Sequence, residues 1–488
     1  MRYFLLFIYI CAAVSVFAQT VQEYVSARLQ HPVLNGALWG GAAAYTDAPE
    51  ADIFSVHADT RLTPASALKL LTTAAALETF GPDYRFQTQL YAETLPDENG
   101  ILRGSLCLQG GGDPTLGSAR VPGAETWQAV VKKWAQSVKD AGITRVEGDL
   151  IADVSLFEGP SVAPKVNWEN IGNYYAAPAS PLSFNDNLFK IHFSPQFRHG
   201  QPAEISGTDP KIPALTLTSF VTTDGKNKKD NAYVYGAPRQ NELEIYGTIP
   251  TNLTGFTISA AMPDPAFFAA YALKEELEKQ GVLLTGEIRT TRTAPDYAPM
   301  TLLHASQSPK LKDIIVIVNK RSFNLYADML LRQLAVAAGK KGSLQNGLEE
   351  LNKFLQKNKL AGAQDAVIYD GSGLARDNLV TPRTLLRTLA FMTTSPHFTY
   401  YYNSLATPDD RGDLLLLRRF LKPYKAVNRV RVKGGTIDGV KTAAGYAADK
   451  NGKQIAFVLM ANNLADKNEA ILRIHEDIIK KLLNLPEE

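Results

Sequence analysis

"TPASALKLLTTAAAL", residues Thr63–Leu77, puts one serine and one lysine into an otherwise apolar run just behind a proline. Proline pre-sets φ for a first helical turn, whose amides lack intrahelical partners, so Pro64 and Ser66 mark a helix start. Ser66 and Lys69 then stand at i and i+3, on one face of that helix. Lys69 lies near the positive end of the macrodipole and among Leu68, Leu70 and Leu71, and both surroundings disfavour an ammonium. A lysine driven toward its neutral form beside a serine hydroxyl is a nucleophile with its base. The same residues also read as a capped helix with a solvent-directed lysine, and S-x-x-K by itself has little specificity. The remainder of the chain has to decide.

The chain of 488 residues begins with Arg2, the apolar run "YFLLFIYICAAVSVF" and the small residue Ala18. That pattern predicts a secretory signal peptide over residues 1–18; a transmembrane anchor is the less favoured reading, because the run is barely long enough to span a bilayer. Cys11 follows Ile10 rather than a small residue, so no lipoprotein cleavage is expected. Beyond the signal only Cys107 remains of the two cysteines, so no intrachain disulfide is available and stability rests on packed cores. Lysine and arginine number 51 against 49 acidic residues, with no basic stripe or tail, which leaves nucleic-acid binding without support. The expected location is the periplasm or cell surface.

After a helix ("VQEYVSARLQ"), an apolar strand ("ALWGGAAAY") and the Ser66 helix, the texture changes at Gly81-Pro82. Alternating strands and glycine-rich turns run from there to about residue 293, interrupted by the amphipathic helix "ETWQAVVKKWAQSVKDAG" and a helix over 264–280. From about 310 the chain is helix-rich again, then closes on strands, an Asn451-Gly452 hairpin signal and a helix with Ile471, Ile474, Ile478 and Leu482 on one side. This predicts an α/β domain, residues 19–84 and 294–488, split by a β-rich insertion. Two small inserted domains are expected: one over 85–108 and 185–293, the other over 109–184.

Chemistry beyond a nucleophile and base needs a proton donor for the leaving group and a grip on the substrate. "NKRSFNLYADMLLRQLA" offers Ser322 and Asn324 just ahead of a helix. The identical tripeptide occurs in "SPLSFNDNLFKIHF" at Ser183–Asn185, but there the residues from Leu188 to Phe193 alternate as a strand does, so Ser322 is preferred. In "RVRVKGGTIDGV" a strand delivers Lys433 and then Gly434 and Gly435, a pair that lets a substrate backbone approach closely. An ordinary edge strand blocked by its lysine is the plain alternative.

S-x-x-K, S-x-N and K-x-G in this order resemble the penicilloyl serine transferases, the superfamily of penicillin-binding proteins and class A β-lactamases. The long insertion between the first two motifs narrows the likeness. "GGGDPTL", "GDLIADVSLFEG", "NYYAAPASPLSFNDN", "DGSGLARDNLVTP" and "GYAADKNGKQIAFVLMANN" resemble the D-Ala-D-Ala carboxypeptidase/endopeptidase family of low-molecular-mass class C. The likeness covers nearly the whole chain beyond the signal. It implies a transpeptidase/β-lactamase-like domain, an antiparallel sheet flanked by helices, carrying the site.

The resemblance also implies roles. Ser66 is acylated with Lys69 as base, Ser322 passes a proton to the departing D-alanine, Asn324 orients the substrate amide, and Lys433 faces the terminal carboxylate. The backbone N–H groups of Ser66 and Thr436 form the oxyanion hole, with Gly435 beside them, and Asp153 and Arg376 read the side chain of the stem peptide. The implied partners are peptidoglycan stem peptides and cross-links, with β-lactams as covalent inhibitors and homo-oligomerisation left open; no metal or cofactor is implied. Gly434 departs from the K-T-G of the family. Competing readings are an amidase, esterase or β-lactamase of the same fold, or a catalytically weak peptidoglycan-binding or β-lactam-sensing protein. For a β-lactamase, the glutamate of "ENIGN", Glu169, lies before the S-x-N element rather than after it.

Overall fold

Thr20 opens the described chain with a reciprocal cap: its hydroxyl takes the Glu23 N–H while the Glu23 carboxylate takes its own. The computed structural model describes residues 19–483 except 196–197, 226–230, 252–253, 411–417, 420, 424 and 466–468. The signal peptide expected over 1–18 lies outside the described residues. Helix α1 (Val21–Arg28) leads into strands β1 (Leu38–Tyr45) and β2 (Asp52–Val56). The segment with Ser66 then begins not as an α-helix but as a 3₁₀ turn, Ala65–Leu68, which hands over to α2 (Lys69–Phe80). In a 3₁₀ turn positions i and i+3 eclipse, so Ser66 and Lys69 are aligned more closely than α-helical geometry would make them.

The insertion continues as β3 (Gln87–Ala92), β4 (Leu106–Gln109), α3 (Trp127–Asp140), β5 (Leu150–Asp153) and the short α4 (Trp168–Ile171). Then come β6 (Leu188–Phe193), β7 (Ile205–Asp209), β8 (Thr216–Asp224), β9 (Tyr233–Tyr235), β10 (Glu242–Pro250) and β11 (Phe256–Ala261). It ends with α5 (Pro265–Lys279), β12 (Ile288–Thr291) and β13 (Thr301–Gln307). Five of these strands form one sheet in the order β12-β5-β4-β3-β13. β4, β5 and β12 run parallel, which the crossover helices α3 and α5 make possible.

This arrangement corrects the expected domain map in two places. β4 itself straddles the expected 108/109 boundary and pairs along its length with β5, well beyond that boundary, and β13 lies beyond the expected end at 293 yet pairs with β3. A single apolar core, from Leu90 through Trp134, Phe184 and Ile245 to Leu284, joins the two lobes that the sequence separated. Strand periodicity reports which side chains face inward, but carries no information on which strand is the neighbour. Two three-stranded sheets, β11-β6-β7 and β8-β10-β9, also belong to the insertion.

The chain returns through α6 (Leu311–Lys320), α7 (Asn324–Ala337), α8 (Leu344–Lys357), α9 (Pro382–Thr394) and α10 (Phe398–Ser404). It closes on β14 (Val430–Ile437), β15 (Val440–Ala448), β16 (Gln454–Asn462) and α11 (Glu469–Leu482), with Gly452 at positive φ in the β15–β16 hairpin. The antiparallel sheet β14-β15-β16-β1-β2 is buried on both faces, which accounts for the near-continuous apolar runs of its inner strands. Along β16, Ala456, Val458 and Met460 pack on α2 and α9, while Phe457 and Leu459 alternate toward α1 and α11.

Candidate active site

The turn that carries Ser66 is stapled to the end of the sheet. Asn462 of β16 accepts the Thr63 N–H and donates back to its carbonyl, at 2.7 and 3.1 Å, and the Thr442 hydroxyl of β15 donates to Pro64 O at 2.9 Å. Ala65 is held at φ 45°, a left-handed conformation that a non-glycine residue adopts only when its surroundings enforce it. Beneath it the Asp370–Gly373 turn comes so close that a Cβ on Gly373 would lie 1.9 Å from Ala65 O.

Lys69 is fully buried, and its Nζ meets three acceptors: Ser66 Oγ at 3.0 Å, Asn324 Oδ1 at 2.6 Å and the Ser372 carbonyl at 2.6 Å. Two of the three can only accept, so they fix two N–H bonds whichever protonation state is present. The third direction points at a hydroxyl, which can accept from an ammonium or donate to the lone pair of an amine. Deprotonation of Lys69 therefore turns that lone pair onto Ser66. Burial drives Lys69 below the ordinary lysine range, opposed by the Asp328 and Asp370 carboxylates. Asp328, one turn beyond Asn324 on α7, is itself pushed upward by desolvation and by Asp370.

Around this pair, Asp328 accepts the Gly371 N–H at 2.8 Å, and Asp370 accepts from Ser372, Gly373 and Ala375 N–H and from Asn378 Nδ2. Those bonds fix the turn whose carbonyl holds Lys69. In the sequence, Asp370–Gly373 is a turn beside Arg376, with no sign that its backbone holds Lys69. A signal exists in Asp328, which interrupts the apolar stripe of α7 between Ala327 and Met329.

Ser322 links α6 to α7 at φ 56°, and its Oγ accepts from Lys433 Nζ at 3.0 Å. Lys433 is 2% exposed and donates also to Gly434 O. Asn324, expected to hold the substrate amide, spends both ends elsewhere: Oδ1 on Lys69, and Nδ2 on the carbonyl of Tyr175 from the insertion at 2.8 Å. Ser183, the decoy, is fully buried; it donates to Ser180 O and accepts from Asn187, away from the cleft. Gly435 of β14 passes the Ser66 turn so closely that a Cβ there would lie 2.8 Å from Ser66 N and 2.2 Å from Thr442 Oγ1. Thr436 comes next at the exposed rim, its hydroxyl accepting from Lys441 Nζ at 2.9 Å.

Ser66, Ser322, Asn324, Lys433, Gly435, Thr436 and Arg376 all line one open cleft of about 700 Å³. Asp153 does not join them. It ends β5, is 2% exposed, and spends its carboxylate on Ser155 N–H and the Tyr297 hydroxyl, both at 2.7 Å, so it does not stand with Arg376 on the cleft wall. Arg376 instead donates to the Asp438 carbonyl. The insertion reaches the cleft through other residues, among them Asn167, Glu169, Tyr174 and Tyr233. Glu169, out of place in the order of motifs, thus brings a carboxylate to the cleft wall.

A family model described as D-Ala-D-Ala carboxypeptidase 3 (S13) matches residues 21–482. Among similar proteins is a D-alanyl-D-alanine carboxypeptidase of Actinomadura sp. strain R39, 29% identical, over 91% of this chain and 81% of that one. Another is the D-alanyl-D-alanine carboxypeptidase DacB of Haemophilus influenzae, 23% identical over 84% and 82%. The crystal structure of penicillin-binding protein 4 from Haemophilus influenzae has the same fold, with a TM-score of 0.80 over 94% of this chain and 99% of that one at 23% identity.

Proposed function

The chain belongs to the D-Ala-D-Ala carboxypeptidase 3 (S13) family, and from that premise we propose that Ser66 is the acylated residue of its peptidase chemistry. The protein is a serine-type D-Ala-D-Ala peptidase of the low-molecular-mass penicillin-binding class, with peptidoglycan as substrate and β-lactams as ligands. The observation that carries the assignment of Ser66 is the three-acceptor cage of Lys69, in which two carbonyl oxygens leave only the Ser66 direction for a lone pair.

Neutral Lys69 takes the Ser66 proton as Oγ adds to the carbonyl carbon of the penultimate D-alanine. The backbone N–H groups of Ser66 and Thr436 hold the oxygen on which charge develops. Collapse breaks the peptide bond; Ser322, bridged to Lys433, delivers its hydroxyl proton to the departing amine and regains one from the Lys69 ammonium through the cleft, which restores Lys69 as a neutral base. Lys433 and Lys441 give the terminal carboxylate its counter-charge. Water, activated by the same Lys69, then hydrolyses the ester. With a β-lactam the broken amide stays tethered, so no leaving group clears the cleft and the ester persists.

Carboxypeptidase action on stem peptides and cleavage of cross-links are both readings of this site; the open cleft favours neither. The reading requires export, supported by the apolar run Tyr3–Phe17 ahead of Ala18. Release of D-alanine from a stem pentapeptide, together with mass analysis of the penicillin adduct, tests the proposal. Label on Ser66, and loss of both signals in Ser66→Ala, are expected; adduct on any other residue overturns it.

A further inference from the structure

Five aromatic side chains stand exposed in one neighbourhood of the insertion: Trp168 (56%), Phe220 (52%), Tyr174 (48%), Tyr246 (42%) and Tyr233 (39%). Single exposed rings are ordinary, but a contiguous set marks a binding surface. Their placement is set by strand register. Phe220 of β8 is in register with Tyr246 of β10, and Tyr246 with Tyr233 of β9, so the three cross the sheet in one row on its exposed face. At the usual spacing of about 4.8 Å between strands, that row is roughly 10 Å long.

Phe220 and Tyr246 stack with ring centroids 4.8 Å apart; Tyr246 meets Tyr235 edge-on at 5.7 Å, and Tyr235 meets Trp168 at 6.4 Å. The track therefore turns from the sheet onto α4, where Asn167, Glu169 and Asn170 beside Trp168 line the cleft, as does Tyr233. Of the exposed aromatics, Tyr233 and Tyr174 line the cleft that carries Ser66, and Trp168 stands next to residues that do. Polar groups are interleaved: the Tyr246 hydroxyl donates to Glu244 at 3.0 Å, and Glu244 and Thr218 lie in register on the same face.

We infer that this aromatic track binds the glycan strand of peptidoglycan, the β-linked amino-sugar chain to which the stem peptide is attached. Pyranose rings offer apolar C–H faces flanked by hydroxyl and acetamido groups, and an aromatic row with interspersed hydroxyls and carboxylates matches both parts. Continuity with the cleft selects this occupant over a lipid surface, because a glycan lying on the row keeps its own stem peptide within reach of Ser66. The inference rests on the peptidoglycan reading given above, and the test separates the two.

Wild type and the double variant Phe220→Ala/Tyr246→Ala are compared on a free stem pentapeptide and on the same pentapeptide carried by an oligosaccharide of alternating N-acetylglucosamine and N-acetylmuramic acid. Neither residue touches the cleft, so turnover of the free peptide, which also reports the fold, stays unchanged. On the glycan-linked substrate kcat/KM falls about tenfold, through KM, as expected for losing two stacking platforms. Equal kcat/KM on the two substrates, or equal losses on both, overturns the inference, as does wild-type binding to phosphatidylglycerol vesicles that the variant loses. A wild type inactive on the free pentapeptide overturns the peptidase reading instead.

Discussion

The tripeptide Ser-Phe-Asn occurs twice, at 183–185 and at 322–324, and the two copies have become different objects. Each has a residue at positive φ, Asn185 in one and Ser322 in the other, so local backbone strain does not tell them apart. At 183 the serine hydroxyl is closed off between Ser180 O and Asn187, and Asn185 ties down the Leu188 carbonyl, so the segment is a finished piece of wall. At 322 the serine and asparagine each meet a buried lysine, Lys433 and Lys69, brought from 111 and 255 residues away. A hydroxyl acquires chemistry from the charge placed beside it, and no three-residue motif carries that charge with it.

The largest test of the comparison removes the charge that distinguishes the second copy. Lys69→Ala is expected to lower penicillin acylation by several orders of magnitude, as for loss of the base of an activated nucleophile, measured by single-turnover labelling. A Lys69→Ala protein that acylates at more than about a tenth of the wild-type rate would remove the basis for calling the second copy catalytic.

Ser322→Ala and Ser183→Ala bear on the two copies directly. Ser322→Ala should cost roughly 10²- to 10⁴-fold in D-alanine release, the range for a general acid–base group. Ser183→Ala should leave turnover within about twofold but lower unfolding free energy by about 1–3 kcal/mol, because it strands a buried hydrogen-bonding partner. Reversed results would exchange the roles of the two segments.

A smaller effect concerns pH. Lys69 is pushed down to about 8 by burial, and a base must be neutral to act, so acylation should rise with pH through that region. The carboxylates of Asp328 and Asp370 stabilise the ammonium and hold the midpoint up. Asp328→Asn removes one of them, so its acid limb should move to lower pH; an unmoved limb accompanied by a lower plateau would make Asp328 a purely structural clamp on Gly371.

Gly434 offers the gentlest perturbation. A Cβ at this position meets nothing within 4 Å, so a side chain starts there in open space. If the missing hydroxyl weakens the grip of the Lys433 strand on a carboxylate, Gly434→Thr should accelerate acylation by penicillin up to about tenfold, the worth of one charged hydrogen bond. No gain, together with slower cleavage of cross-linked dimers, would mean that the glycine makes room for a bulkier substrate.

The sequence by itself determined that Ser66 and Lys69 meet, because they are three apart behind a proline and any helical turn brings them together. It also determined the strands of the closing hairpin and the long insertion, through periodicity and the Asn451-Gly452 turn. The partition of the insertion was not legible, since a strand's alternation is the same whether its neighbour is near or far along the chain. Asp153 was placed at the site only by the family resemblance, and the fold closes its carboxylate with Tyr297; Asp328, Tyr175 and the Ser372 carbonyl join the site only by structure. Tyr175 and Ser372 contribute backbone oxygens, whose availability depends on where the chain turns and not on side-chain identity. Only the tertiary structure could bring α2, the α6–α7 junction, the Asp370 turn and β14 within hydrogen-bonding distance. The desolvation that pushes Lys69 toward its neutral form arises from that convergence, because burial is a property of everything packed around a residue and not of the residue itself.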